Sequence, residues 1–267
     1  MESNWARPSL FLIYSVIRPI AATMILVIMF LVVKQNVAED PALFSYVYLG
    51  AAFYMFVANV LFGITYVIHE DREHYQTLKQ VYIAPISFYV YITGRAASKV
   101  ALTAVSVLIS IAFGVLILGL PLDLGRVDWP MFVLAMVIGL GCIASIGFAL
   151  AGISFLTAKH STGINEGIAG AFYLFCGAVF PLTVLPSWGQ QIGAAIPITY
   201  WLELIRRSLY PGEGIEYLSG LQDFSDPMIL ALLMISALAF LAISLGIFRY
   251  ADRLARREGK IDMTTTY

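Results

Sequence analysis

Charge is scarce in this sequence, and that scarcity excludes an ordinary soluble domain. Asp, Glu, Lys and Arg make up 12% of the 267 residues, and hydrophobic residues make up 60%. Soluble domains carry roughly 25% charged residues. The composition therefore predicts an integral membrane protein. The formal net charge of -1 gives no indication of a nucleic-acid partner.

Residues that commonly catalyse reactions or bind metals are also few. The three histidines, His69, His74 and His160, show no H-E-x-x-H spacing, so we predict no catalytic residue and no metal site. The sequence has no G-x-x-x-x-G-K-S/T loop, so the chain is predicted not to hydrolyse ATP itself. Cys142 and Cys176 lie in apolar segments and are interpreted as small buried hydrophobic residues.

Long apolar segments make up most of the chain. An apolar helix of about 20 residues crosses the roughly 30 Å hydrocarbon core of a bilayer. We therefore predict one all-α transmembrane domain over residues 1–267, with six spans at 19–35, 44–68, 100–120, 129–156, 167–184 and 227–248. Residues 1–18 are interpreted as an interfacial helix. A cleaved signal peptide is the alternative, because basic residues precede an apolar core.

The basic residues are unequally divided by these six spans. Of the 16 Lys and Arg, twelve lie on the side of the two termini and four lie on the other side. The four are Lys34, Arg126, Arg206 and Arg207. The positive-inside rule therefore predicts a multi-pass protein of the cytoplasmic membrane with both termini in the cytoplasm.

A polar segment, residues 69–85, separates the second and third spans. It reads HEDREHYQTLKQVYIAP and is too polar to lie in hydrocarbon. Its apolar residues recur at three- and four-residue spacing between Tyr75 and Tyr82, which predicts a short amphipathic helix ended by Pro85. We expect this helix to lie on the cytoplasmic surface and to bind a partner.

Ionisable residues are almost absent from the predicted spans, and Asn59 and Glu166 are the strongest polar points. Ion-coupled carriers usually need carboxylates within the membrane, so energy from another subunit is favoured. Helix packing is the simpler role for both residues. Tyr46 and Tyr48 fit a lipid-facing interfacial belt. The predicted substrate path consists of Tyr54, Asn59, Tyr173 and Phe180.

Prolines interrupt the chain between the fifth and sixth spans. Residues 186–210 are therefore predicted to form external re-entrant helices that dip into the outer leaflet without crossing it. Glu203 precedes Arg206 and Arg207 by three and four residues, a spacing that allows ion pairs on one helix face. A merely solvated face is the alternative.

Two motifs in this order resemble the permease subunits of ABC-2 type transporters, the type V ABC exporters. The first motif comprises Glu73, Thr77, Leu78, Pro85, Ile86, Ser87, Gly94 and Arg95. The second comprises Gly177, Phe180, Pro181, Leu185, Pro186, Trp188, Pro197, Thr199, Tyr200, Arg206 and Arg207. Gln76, Lys79 and Cys176 depart from residues that are common in the family.

The resemblance implies that residues 69–85 are a coupling helix that fits a groove on a separate ATPase subunit. The implied coupling residues are Glu73, Thr77, Leu78, Tyr82, Pro85 and Arg95. The implied external re-entrant region contains Pro181, Pro186, Trp188, Pro197, Tyr200, Glu203 and Arg206. Two ATPase subunits would bind ATP and magnesium, and this chain, itself no enzyme, would pair with a second copy or a paralogue.

The substrate implied by the resemblance is a hydrophobic or amphipathic molecule, such as a drug, lipid or glycoconjugate. Export of a polysaccharide or glycolipid by the same fold is one alternative. An ion-coupled secondary transporter and a membrane-embedded enzyme are alternatives from other classes.

Overall fold

The computed structural model describes residues 13–34, 40–69, 78–83, 88–156, 161–211 and 218–257, and their regular structure is helical. After a π-helical turn, Ile13–Ile17, we label the α-helices α1 Arg18–Lys34, α2 Pro41–His69, α3 Leu78–Ile83, α4 Phe88–Leu116, α5 Trp129–Leu156, α6 Ser161–Phe175, α7 Ser187–Ala195, α8 Pro197–Leu209 and α9 Asp226–Arg257. A short 3-10 helix, Leu182–Val184, precedes α7. The all-helical prediction is confirmed for the described residues.

Four of these helices are long and apolar enough to cross a membrane. Their candidate spans are Pro41–Val67, Val90–Leu116, Trp129–Ser154 and Asp226–Ala251. The spans predicted at 19–35 and 167–184 correspond to α1 and α6, which have 17 and 15 residues. The count of six spans therefore stays a prediction. Most of the interfacial helix predicted at 1–18 lies outside the described residues.

The fifth predicted span is shorter in the structure because its helix ends early. Helix α6 ends at Phe175, and Gly177 follows with φ of +70°. That left-handed conformation suits glycine and commonly ends an α-helix. Pro181, with φ of -58° and ψ of 141°, then keeps the chain extended. Helix α6 therefore ends nine residues before the predicted end of the fifth span at residue 184.

Helix α2 occupies the centre of the bundle. In its most apolar stretch 72% of the residues are buried, compared with 17% in the corresponding stretch of α9. It packs against α1, α4, α5, α6 and α8. Because so much of its surface is covered by protein, α2 brings the side chains of several other helices together.

Ring and glycine contacts give the directions of the neighbouring helices. Phe53 of α2 lies against Phe132 of α5, and Ile64 further along α2 lies against Gly147 of α5, so these helices run parallel. Phe30 at the end of α1 packs on Phe44 at the start of α2, which makes that pair antiparallel.

Tyr46 and Tyr48 correct one expectation. Both are buried, with 1% and 2% of their surface exposed, so neither belongs to a lipid-facing belt. The Tyr48 hydroxyl donates a hydrogen bond to the Ser110 carbonyl of α4 at 2.6 Å. A buried tyrosine needs such a partner, and an adjacent helix supplies it here.

Candidate functional site

A cavity of about 230 Å³ lies between α1, α2, α4 and α6. Its lining consists of Arg18, Pro19, Ala22, Thr23, Leu26, Ala51, Tyr54, Met55, Ala58, Asn59, Ser106 and Tyr173. Six of these twelve residues are apolar and six carry a polar side-chain group, so the wall offers both apolar contacts and hydrogen-bonding groups. The cavity is the first part of the candidate site.

The structure brings three of the four predicted substrate-path residues together in this cavity. Tyr54 and Tyr173 meet edge to face, with ring centroids 4.9 Å apart. The Tyr54 hydroxyl donates to the Ala169 carbonyl of α6 at 2.6 Å. Asn59 is exposed on the wall instead of lying between packed helices. Phe180 lies beyond the end of α6 and does not line the cavity.

Several hydroxyl groups in the lining are already bound to their own helices. Thr23 donates to the carbonyls of Pro19 and Ile20 at 3.1 and 3.0 Å. Ser106 donates to the Leu102 carbonyl at 3.4 Å. These bonds satisfy hydroxyl donors within the helix backbone. The remaining side-chain donors of the described lining are Arg18, Asn59 and the Tyr173 hydroxyl.

The second part of the candidate site is the layer formed by α7 and α8. Residues 201–210 of α8 and its C-terminal boundary are all buried. Helix α8 packs against α5 and α9, and also contacts α2 and α7. We call this region, residues 181–211, the outer layer. It contains two arginines that the sequence predicted to be paired or solvated.

Arg206 ties the outer layer to α2 and to the turn after α6. Its guanidinium donates to the carbonyls of Tyr46 at 3.1 Å, Gly177 at 2.7 Å and Ala178 at 3.2 Å. It also lies 3.6 Å from the centroid of the Tyr46 ring, in cation–π geometry. Arg206 thereby satisfies two carbonyl groups of the turn that follows α6.

Arg207 ties the same layer to α9. It forms an ion pair with Glu203 at 2.7 Å and a second with Asp226, at the start of α9, at 2.9 Å. It also donates to the carbonyls of Phe224 and Leu221, both at 2.9 Å. The solvated-face alternative was therefore wrong. Of the two arginines within reach of Glu203, Arg207 makes the ion pair and Arg206 binds backbone carbonyls.

Burial dominates the electrostatics of Glu203. Loss of water raises the pKa of its carboxyl, and the nearby Arg206 and the bond from Arg207 oppose that rise. Ser219 donates a further hydrogen bond to Glu203 at 2.8 Å. Burial lowers the pKa of Arg207, but the bonds and charges of Glu203 and Asp226 outweigh this and raise it. Arg207 therefore stays protonated.

The prolines and aromatic residues of the second motif shape the outer layer. Pro186 directly precedes α7, and Pro197 is the first residue of α8, where a missing backbone donor costs least. Tyr200 donates from its hydroxyl to the Ala194 carbonyl of α7 at 2.5 Å. Trp188 lies edge to face with Phe175, with centroids 5.9 Å apart.

The third part of the candidate site is the predicted coupling segment, residues 69–85. Residues 78–83 form the short helix α3, whereas Glu73, Thr77 and Pro85 lie outside the described residues. Leu78 and Tyr82 belong to α3. Arg95 lies near the start of α4, with its guanidinium carbon 5.9 Å from the centroid of the Tyr91 ring.

Sequence reasoning missed several residues of these sites. Ser219 and Asp226 are 16 and 19 residues from the side chains they bind, so no local spacing indicated them. Trp201, fully buried against Gly139 of α5, was also missed. The small residue at 139 was the available signal, because close helix contacts favour glycine.

A comparison with known protein families finds a match over most of the chain. The family model of the ABC-2 type transporter matches residues 1–210. No curated protein matches the chain. The matched region contains both motifs, the cavity and most of the outer layer. The chain therefore belongs to the ABC-2 type transporter family and is a multi-pass membrane permease that works with an ABC ATPase.

Proposed function

We propose that this permease moves a hydrophobic or amphipathic molecule, such as a drug, lipid or glycoconjugate, out across the cytoplasmic membrane. The observation that carries this proposal is the family match over residues 1–210, because it includes the cavity between α1, α2, α4 and α6. The lining mixes apolar side chains with Arg18 and Asn59. Such a surface suits a ligand that has both apolar and polar parts.

The proposed topology has six spans with both termini in the cytoplasm. Helices α2 and α5 run parallel, α1 runs antiparallel to α2, and α4 and α6 also pair with α2. This arrangement agrees with α1 and α6 as the two additional spans. It would place the described starts of α1 and α4 and the end of α9 on one side, where most Lys and Arg lie.

The proposed energy source is an ATPase that binds residues 69–85. In this account α3 lies at the cytoplasmic surface, between the end of α2 and the start of α4. Glu73, Thr77, Leu78 and Tyr82 would contact the ATPase, and Arg95 would anchor the start of α4 at the leaflet. ATP and magnesium would bind to the ATPase, and two ATPases would act on two permease chains.

The outer layer is proposed to be the external re-entrant region. Arg206 and Arg207 join it to α2, to the turn after α6 and to α9 through buried bonds. Because bonds to a buried guanidinium are costly to break singly, we expect α8 to move together with these neighbours. The outer layer would therefore close the external side as one unit.

Ion-coupled transport is the competing mechanism, and the cavity argues against it. The described residues that line the cavity include no Asp or Glu. Carboxylates usually mark proton and sodium pathways. Polysaccharide or glycolipid export by the same fold remains the alternative substrate class.

The experiment that tests this function uses proteoliposomes containing the permease and the ATPase that purifies with it. A fluorescent short-chain phospholipid is added, and its movement between leaflets is followed by dithionite quenching. We expect movement with ATP and magnesium, and none with ADP or with an ATPase variant that cannot hydrolyse ATP. Movement driven by a proton or sodium gradient without ATP would refute the proposal.

A further inference from the structure

We propose that the cavity between α1, α2, α4 and α6 binds an anionic headgroup, a phosphate or carboxylate, through Arg18 and Asn59. The proposal rests on the proposed function, because it names a substrate class for the same cavity. The ligand would be an anionic amphipath whose head enters the cavity and whose apolar part stays outside it.

The charge of the cavity lining favours an anionic ligand. Arg18 is the one charged residue among the described residues of the lining, and no Asp or Glu accompanies it. Arg18 is exposed, so its guanidinium is accessible to a ligand. A cation beside an apolar bundle is stabilised by a counterion, and a guanidinium matches the geometry of phosphate and carboxylate oxygens.

The hydrogen-bond donors of the cavity lining also favour an anion. The hydroxyl protons of Thr23, Tyr54 and Ser106 are directed to backbone carbonyls. Asn59 is exposed and lines the same cavity. A ligand in this cavity therefore meets donors from Arg18, Asn59 and the Tyr173 hydroxyl, and an anion accepts hydrogen bonds from all three.

The size of the cavity suits a headgroup better than a complete lipid. A volume of about 230 Å³ is below the roughly 300–1,000 Å³ of sites for drug-sized ligands. It is large enough for a headgroup and too small for a complete lipid. Ile25, Ile28 and Met29, on the same helix as Arg18, are all more than half exposed. Acyl chains would lie along this apolar face of α1.

The test measures equilibrium binding to the full-length permease in a neutral detergent, without the ATPase. The probe is radiolabelled dioctanoyl phosphatidic acid. We expect Arg18→Gln to weaken binding about tenfold, the effect of losing one hydrogen bond between charged groups. Arg18→Lys should weaken it less, because the positive charge remains. Asn59→Leu should also weaken binding, by a smaller factor than Arg18→Gln.

Two further ligands show whether the phosphate is the group that is bound and whether it belongs to a lipid or to a soluble anion. Dioctanoylglycerol has the same chains without the phosphate, and its weak binding should not change in Arg18→Gln. Glycerol 3-phosphate tests a soluble anion. If it binds with an affinity similar to phosphatidic acid and depends on Arg18, the anion site is supported with a soluble source. If phosphatidic acid binds much more tightly, the site is supported with a lipid source.

Matched controls keep the test decisive. Arg126→Gln removes an exposed arginine from the 117–128 loop, outside the cavity, and should bind the probe as wild type does. If Arg18→Gln does not fold, judged by size exclusion and thermal unfolding, Arg18→Lys and Asn59→Leu decide the question. Wild-type affinity in all folded Arg18 and Asn59 variants, or equal binding of dioctanoylglycerol and phosphatidic acid, would overturn the proposal.

The binding test and the transport test can fail independently of each other. Binding is measured without ATP or ATPase, so a permease that binds the anion but never moves lipid with ATP would refute the function and leave the site. ATP-driven movement of lipid without Arg18-dependent binding would refute the anion site and leave the proposed function.

Discussion

Replacing Arg206 by methionine should destabilise the protein strongly, although the residue does not line the cavity. Arg206 is 2% exposed, and its guanidinium donates to the carbonyls of Tyr46, Gly177 and Ala178. Methionine fills much of the same volume but donates no hydrogen bond. The buried carbonyls of the turn after α6 would lose a charged hydrogen-bond donor.

The size of this destabilisation follows from opposing contributions to the free energy of unfolding. A hydrogen bond to a charged group contributes about 1.5–3 kcal/mol, and a desolvated cation–π contact contributes about 2 kcal/mol. These contributions are not additive, and burying the guanidinium costs several kcal/mol. A buried carbonyl left without a partner costs about 1–3 kcal/mol. We therefore expect a loss of about 3 kcal/mol from the free energy of unfolding.

The assay is thermal unfolding of the purified permease in detergent, followed by tryptophan fluorescence. A change of about 3 kcal/mol should lower the midpoint by roughly 6–12 °C. Arg206→Lys should fall between wild type and methionine, because lysine keeps the charge but cannot reproduce the planar fork. Arg126→Gln is the control, since its ion pair with Asp123 is 66% exposed on both sides and should contribute little. Equal midpoints for Arg206→Met and Arg126→Gln would refute the reasoning.

Two further predictions use the same unfolding assay. Gly139→Ala should lower stability by about 1–3 kcal/mol, because its Cβ would overlap the Trp201 ring; Gly141→Ala, on the same helix with open space around it, should not. A similar loss in both would count against the close packing of α5 and α8. Glu203→Gln and Arg207→Met, singly and together, should give a coupling energy of about 1–3 kcal/mol, and a value near zero would contradict a strong buried pair.

Much of the helical framework could be predicted from apolar segments alone. The span predicted at 129–156 coincides with α5, because a Trp-Pro start and a polar sequence after Leu156 delimit it. The end of α6 could not be predicted in this way. Residues around Gly177 are as apolar as the helix before them, and it is the left-handed conformation of Gly177 that ends it.

The candidate site was only partly predictable for a related reason. Tyr54 and Tyr173 were identified from their depth in the spans, and they do meet in the cavity. Arg18 was assigned to the interface before the first span, because its place in the lining depends on how α1 packs against α2. The roles of Arg206 and Arg207 depend on which neighbours α8 contacts, which sequence spacing does not specify.

The central claim is that residues 69–85 bind the ATPase that drives this permease, and capture of that ATPase tests it most directly. The permease is purified from cells that also produce the ATPase, and the ratio of the two chains is measured. We predict a one-to-one ratio for wild type and for Leu124→Glu, a control at an exposed residue of the 117–128 loop, and loss of the ATPase for Leu78→Glu. Full capture by Leu78→Glu, or none by wild type, would contradict the claim.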